Sequence, residues 1–358
     1  MSAKPHLLAM IPADLVAHLR SCGVPANEGE ARRILAHAIS DDRPGFPDRR
    51  PVAGRIADAV AATTERSRPE VVEVARDPAD GFVKLLLKAG DGALFEAVRI
   101  PLQREDAFTV CLSCQSGCGM GCAFCATGRL GLGRNLSAGE MIASFLAARR
   151  LGDGRITGAV FMGQGEPLAN YDEVIRAARV LCDPCGGRVK AENISISTVG
   201  LVPQILRYAE ERHPYRLIVS LTSTVQQRRA ALLPVAARWE VPEVCDAIRR
   251  YAASCGERVT IAWVTIAGLN TGDDEVEGLK ALLGDLPLRI NLVEVNDPRP
   301  DGFAAPGVEE LDRFRNALKA QGWPVVRRYA GGRQAHAACG MLASVRIGYD
   351  STFLAQDA

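Results

Sequence analysis

Five cysteines fall within fifteen residues of this 358-residue chain, at Cys111, Cys114, Cys118, Cys122 and Cys125 in the stretch CLSCQSGCGMGCAFC. Thiols this dense, in a chain whose first residues do not read as a secretory leader, point to metal or redox chemistry rather than a disulfide framework. Two readings compete. The pairs Cys111/Cys114 and Cys122/Cys125 have the spacing within each pair of a structural zinc site, but the gap between the pairs is short and Cys118 is left without a role. The triplet Cys118, Cys122 and Cys125 suits a cubane 4Fe-4S cluster. Such clusters usually take four thiolates, one per iron, so three leave one iron free to bind something else.

Whatever these thiols hold must be positioned by the elements around them. Residues 7–40 carry apolar positions at helical spacing, DDRPGFPDRRP at 41–51 breaks the pattern, and GRIADAVAATTE resumes it. Over residues 71–100 the period changes to that of strands joined by DG-containing turns. These features predict a small helical-plus-hairpin domain over residues 1–105, a core over 106–346 and a tail over 347–358. After the cysteines, Ser137 and Glu140 form a capping box ahead of a helical apolar stripe. Strand-like runs GAVFMG, NISIST, RLIVSL, VTIAWVTI, RINLVEV and PVVRRY then alternate with helical runs near 171–182, 201–211, 241–254, 273–284 and 307–321. Six such units predict an α/β fold, a partial (β/α)6 barrel, whose chemistry sits at the C-terminal ends of the strands.

Composition sets the outer bounds. Apolar residues make up 47% and charged residues 24%, as in ordinary globular proteins, and the net charge of +1 gives no bulk attraction to phosphate. Cationic and anionic side chains balance over residues 1–105. The N-terminus places Asp14 inside its apolar stretch, no run of 18 apolar residues occurs, and a cytoplasmic location without a membrane span is expected.

The cysteine triplet, with the aromatic Phe124 in CAFC, resembles the signature of the radical SAM superfamily. The likeness goes further. CLSCQSGCGMGCAFCATGRLGLGRNLSAGEM, GQGEPLAN at 163–170, SISTVGLVP at 195–203, INLVEVN at 290–296 and AACGML at 337–342 are similar to the RlmN/Cfr family of radical SAM RNA methyltransferases. So is RPEVVEVARDPADGFVKLLLKAGDGALFEAVRIP ahead of the cysteines, and the match runs from roughly residue 7 to 346.

The resemblance implies a reaction and assigns it residues. The family's target is carbon 2 or carbon 8 of adenine in RNA, an electron-poor ring carbon that will not attack a methyl sulfonium but will accept a carbon radical. Cys118, Cys122 and Cys125 would hold the cluster, which cleaves S-adenosylmethionine. Cys339 would carry the methyl group, Cys111 would release the product by forming a disulfide with it, and Glu96 would take the ring proton. Gly165 and Glu166 would meet the methionine amino group, and Ser197, Ser220, Leu221, Thr222 and Asn296 the ribose and adenine. Large-subunit ribosomal RNA and transfer RNA are the implied substrates, flavodoxin or ferredoxin the implied electron donor, and Arg20, Arg32 and Arg33 candidate grips on the RNA.

Several of these residues read differently when taken alone. Glu96 is then a solvated strand carboxylate, and Ser197, Ser220 and Asn296 are caps for the following helices. Cys22, Cys245 and Cys255 are small apolar fillers, Cys182 and Cys185 a loop, and Cys114 a spectator beside Cys111. His336, close to Cys339, is a candidate to orient that thiol. The chain departs from the family's usual phrasing at Gln164, where Met is common, at Ser220-Leu221-Thr222, where SLH is common, and at RQAH ahead of Ala337. The alternatives are the same two-cysteine transfer to a small molecule or peptide, and a non-catalytic RNA-binding protein held by zinc.

Overall fold

The computed structural model describes residues 4–42, 52–256, 258–297, 299–328 and 331–343. The expected tail at 347–358, and the break over 41–51 beyond residue 42, lie outside these residues.

Strands β1 (Glu70–Arg76), β2 (Val83–Lys88) and β3 (Leu94–Pro101) form the expected hairpin segment. They pair antiparallel, with Arg76 opposite Val83 and Lys88 opposite Leu94 across the two turns. Strand β4 (Ala107–Leu112) lies antiparallel beside β3. The chain then leaves this sheet for a hairpin, β5 (Gln115–Cys118) and β6 (Gly131–Asn135), which brackets the cysteine loop. It returns as β7 (Arg155–Phe161), β8 (Ile194–Thr198), β9 (Arg216–Ser220), β10 (Val259–Thr265), β11 (Leu288–Glu294) and β12 (Val325–Arg327). These six run parallel to one another and to β4, and the sheet reads β1-β2-β3-β4-β7-β8-β9-β10-β11-β12.

The six strands expected after the cysteines are β7 to β12, and the architecture is the mixed α/β sheet of a partial barrel. The addition is β4. Its run AFTVCL leads directly into the cysteine cluster, and it joins the antiparallel hairpin strands to the parallel ones in one continuous sheet.

Near-continuous apolar runs such as IAWVT in β10 form these strands because helices cover the parallel sheet, leaving little room for polar alternation. The helices after successive strands are Tyr171–Cys182, Val202–Glu211, Val241–Cys255, Asp273–Leu283 and Val308–Ala320. Trp263 of β10 meets Phe314 of the last of these, ring centroids 5.7 Å apart and both side chains buried. The helix Ala138–Arg150 begins with the predicted capping box: Ser137 Oγ accepts from Glu140 N at 3.3 Å, and Ser137 N donates to Glu140 Oε2 at 2.8 Å. Such caps contribute about 1 kcal/mol each. The result aligns the C-terminal ends of β4, β7, β8, β9 and β11 along one rim, where the loops carrying the chemistry emerge.

Candidate active site

The cysteine loop closes tightly on the helix Ala126–Leu130. A Cβ on Gly128 would lie 2.9 Å from Cys122 N and 3.0 Å from its carbonyl oxygen, so only glycine allows this approach. Cys125 N donates to Cys122 O at 3.1 Å, and Ala123 N to Leu232 O at 2.9 Å. Cys118, Cys122 and Cys125 thereby line one chamber of about 130 Å³ at the strand ends, together with Gly165, Glu166, Ser197 and Ser220. Burial pushes the Cys118 thiol up to about 11 and raises Cys122 further, with neighbouring thiols and Glu166 adding to both. Binding a metal here would displace those protons.

The donor set fits an iron–sulfur cluster. Among the described residues no three His, Cys, Asp or Glu side chains close on a single ion. A zinc ion needs its sulfurs about 2.3 Å from one centre, whereas a cubane spreads three thiolates over three irons. The chamber wall beside the triplet is also kept bare. A Cβ on Gly163 would meet Leu112 O at 2.8 Å, and one on Gly165, at φ +101°, would meet Cys114 Sγ at 2.8 Å. The floor is Glu166, whose Oε1 accepts from Leu168 N at 3.0 Å and Oε2 from Val199 N at 2.9 Å. Burial lifts its carboxyl to about 7, and these amide donors oppose the rise.

A second chamber of about 350 Å³ adjoins the first, sharing Phe124, Cys125, Met162, Gly163 and Cys339. Cys111 lines it at the end of β4, and Asn296 lines it after β11. Asn296 Nδ2 donates to Cys339 O at 3.3 Å. Cys339 is exposed to this space, and the desolvation imposed by the surrounding chamber walls pushes its thiol up to about 11, with Cys125 adding and the Arg328 guanidinium opposing. Burial pushes Cys111 up to about 12, with Cys339 adding, while the Met162 N–H and the Arg328 guanidinium oppose the rise. The two thiols thus share a chamber, and Cys111 feels the charge of Cys339.

Three expected residues do not reach either chamber. Glu96 on β3 is fully buried, with Oε1 2.8 Å from Lys84 Nζ and Oε2 accepting from Gln164 Nε2 at 3.3 Å. Gln164 therefore stands on the Glu96 carboxylate. Leu221 is fully buried and donates its N–H to Ala262 O at 3.1 Å. Thr222 turns inward at φ +65°, where its carbonyl accepts from Asn270 Nδ2 at 2.7 Å. Cys114, the expected spectator, packs in the main core with its thiol toward Gln164 O at 3.6 Å, away from the Cys111 chamber.

Sequence reasoning missed two arginines. Arg328 is the one charged side chain lining the second chamber among the described residues, and it donates to Met162 Sδ at 3.6 Å. Arg229 is fully buried and donates to Leu221 O at 3.1 Å and Val199 O at 2.6 Å, tying the loops after β9 and β8 together. Neither carries a spacing signal: Arg328 lies in the run that reads as the last strand, and Arg229 in a stretch to which the sequence assigns no element.

The chain resembles known proteins over most of its length. The radical SAM superfamily model matches residues 112–283. The chain is 46% identical to a probable RNA methyltransferase of Anaeromyxobacter sp. (strain Fw109-5) over 94% of this chain and 99% of that one. It is 36% identical to the dual-specificity RNA methyltransferase RlmN of Syntrophotalea carbinolica, over 88% of this chain and 82% of that one. The crystal structure of a radical SAM methyltransferase from Sphaerobacter thermophilus superposes with a TM-score of 0.86 at 36% identity, covering 95% of this chain and all of that one. With a three-cysteine chamber at the rim of a partial barrel and full-length relatives of this kind, the chain belongs to the RlmN/Cfr family of radical SAM methyltransferases.

Proposed function

We propose that this enzyme methylates carbon 2 or carbon 8 of an adenine in RNA, with large-subunit ribosomal RNA as the principal substrate and transfer RNA as a second, through a methyl group carried on Cys339. One observation carries the reading: Cys111 and Cys339 line one chamber, and Cys339 also lines the chamber of the three cysteines. Several relatives carry the name RlmN, and the relatives named above are described as RNA methyltransferases.

Cys118, Cys122 and Cys125 would hold the 4Fe-4S cluster, and Gly165, Glu166, Ser197 and Ser220 would face S-adenosylmethionine. When bound, the pair supplies a methyl cation equivalent and, after one electron from a flavodoxin or ferredoxin, a carbon radical that removes hydrogen. The chain's own residues do the rest. Cys339 loses its proton and takes the methyl group by displacement. Once a hydrogen has been removed from that S-methyl, its carbon bonds to the adenine ring; the adduct loses one electron, back to the bound cluster, and its ring proton to a base, leaving the RNA joined to Cys339 through a thioether. The Cys111 thiolate then attacks the Cys339 sulfur. The S–S bond forms, the sulfur–carbon bond breaks with its electron pair left on the former S-methyl carbon, and that carbon takes a proton to become the new methyl group.

For Glu96 to be that base, its carboxylate must leave Lys84 and pass Gln164. Its resting role is therefore to hold the strand pair β2–β3. Glu96→Gln separates the roles: an accumulating covalent RNA adduct supports the proton role, and normal turnover of a folded variant ends it.

The deciding experiment is nucleoside mass spectrometry of ribosomal RNA from a host lacking its own enzyme of this type, carrying the wild-type gene or Cys339→Ala. A methyladenosine that depends on Cys339 supports the reading, and its retention time distinguishes carbon 2 from carbon 8. Absence of both products while the purified protein carries a methyl on Cys339 makes ribosomal RNA the wrong substrate and turns the reading to a small molecule or peptide.

A further inference from the structure

The loop carrying Cys339 is fastened at both ends. On its C-terminal side, Ala126 N donates to Gly340 O at 2.8 Å and Thr127 Oγ1 to Leu342 O at 2.6 Å, which ties it to the cysteine loop. On its N-terminal side the partners come from the β1–β2 turn. Asp77 is buried, and its Oδ2 accepts from Gln334 N at 2.8 Å and from Ala335 N at 3.4 Å. Asp80 Oδ2 accepts from Gly332 N at 2.8 Å. The other oxygen of each carboxylate caps the turn itself, Asp77 Oδ1 accepting from Ala79 N at 2.9 Å and Asp80 Oδ1 from Phe82 N at 3.3 Å.

Packing follows the same line. Gly332 stands at φ +78° against the Phe82 ring, where a Cβ would come within 2.8 Å of both the ring and Ala337. Phe82, Ala335, Ala337 and Cys111 belong to one small apolar cluster, separate from the main core. The turn that grips the loop therefore packs in the same cluster as the Cys111 thiol.

We propose that the β1–β2 turn is a clasp, with Asp77 and Asp80 as positioning residues that hold the Cys339 loop in the chamber it shares with Cys111. Local need does not explain two carboxylates here, since one oxygen of each suffices for the turn. The second oxygen of each reaches a loop more than 250 residues away in sequence. The clasp gives the N-terminal hairpin a part in the chemistry that does not depend on touching RNA. It rests on the reading of Cys339 as the methyl carrier.

The test uses the full-length, cluster-loaded protein with Asp77→Ala/Asp80→Ala, and with Asp77→Asn and Asp80→Asn as milder variants. Two readouts apply. In hydrogen exchange followed by mass spectrometry, the amides of Gly332 and Gln334 are expected to exchange about ten to a hundred times faster in the double variant, the factor a hydrogen bond to a charged group supplies. In diamide oxidation of protein whose Cys339 has been kept unmethylated by withholding S-adenosylmethionine, where the reagent takes up both thiol hydrogens, the Cys111–Cys339 disulfide is expected to form about tenfold more slowly, with alkylation of Cys185 unchanged. The asparagine variants should lie between. Wild-type exchange at both amides together with a wild-type rate of disulfide formation, in any variant retaining its iron, overturns the clasp. Absence of S-methyl on Cys339 in wild-type protein, with the exchange and disulfide effects as expected, sinks the carrier reading and leaves the clasp standing.

Discussion

The two chambers are built in different ways. The inner one takes its three cysteines from a single loop, and tight local contacts such as Gly128 on Cys122 set their spacing. The outer one joins Cys111, on the first parallel strand, with Cys339, beyond the last. Their proximity depends on the whole sheet, on Asn296 and on the anchors at either end of the Cys339 loop. A site encoded locally should tolerate distortion elsewhere in the protein, while one assembled from distant segments should fail whenever the segments drift apart.

Separating the chambers by mutation is the strongest way to break this comparison. Cys118→Ser should lose most of its iron and all methylated product, whereas Cys339→Ala should keep wild-type iron and still make no product. Iron assay and visible absorption check this directly, and an iron-poor Cys339→Ala would show that the chambers are not independent. Next, Cys111→Ala should keep its iron but stall after bond formation, leaving RNA attached to Cys339 as a species that survives denaturing electrophoresis. Free methylated RNA at wild-type rates from that variant would remove Cys111 from the reaction.

The pH profile sharpens the contrast. With desolvation by the chamber walls holding the Cys339 thiol near 11, its thiolate fraction rises about tenfold per pH unit below that value. Methyl transfer to Cys339, followed in a single turnover with labelled S-adenosylmethionine, should therefore accelerate by about that factor between pH 7 and 8. A flat profile would mean that deprotonation of Cys339 does not limit the step.

Stability should respond to the inner chamber in the opposite sense. Glu166 binds its proton more tightly in the folded state, about 7 against the ordinary 4.5. Its stabilising contribution is complete below the unfolded value and is lost as pH rises through the folded one, a change of about 3 kcal/mol. Urea unfolding of cluster-free protein should show wild-type stability falling from pH 5 to pH 8, and Glu166→Gln should flatten that slope. The smallest effect is expected at Cys114, which packs in the main core with the Gln164 carbonyl as the hydrogen-bond partner of its thiol. Cys114→Ser should keep its iron and cost about 1–2 kcal/mol of stability.

Much of this molecule was legible in the sequence because local rules decided it. The capping box at Ser137, the DG turns, the six strands from β7 to β12 and the cysteine triplet all depend on residues a few positions apart, where period, cap chemistry and spacing act without the rest of the fold. Among the strands of the ten-stranded sheet, β4 was the exception. Its residues run into the cysteine cluster, so spacing drew the eye to the thiols and away from the strand that carries the first of them.

What only the tertiary structure decided was which side chains share a space. Glu96 reads as a site residue in its phrase, but the register of β2 against β3 places it beside Lys84, behind Gln164. Thr222 and Leu221 follow Ser220 in sequence, yet the turn after β9 points only Ser220 into the inner chamber. Arg328, Asp77 and Asp80 carry no motif, and they matter only because the sheet brings the β1–β2 turn and the end of β12 to the Cys339 loop. Spacing along a chain specifies a local loop because a few dihedrals connect its members. The distance between segments at opposite ends of a sheet is set by the packing of every strand and helix between them.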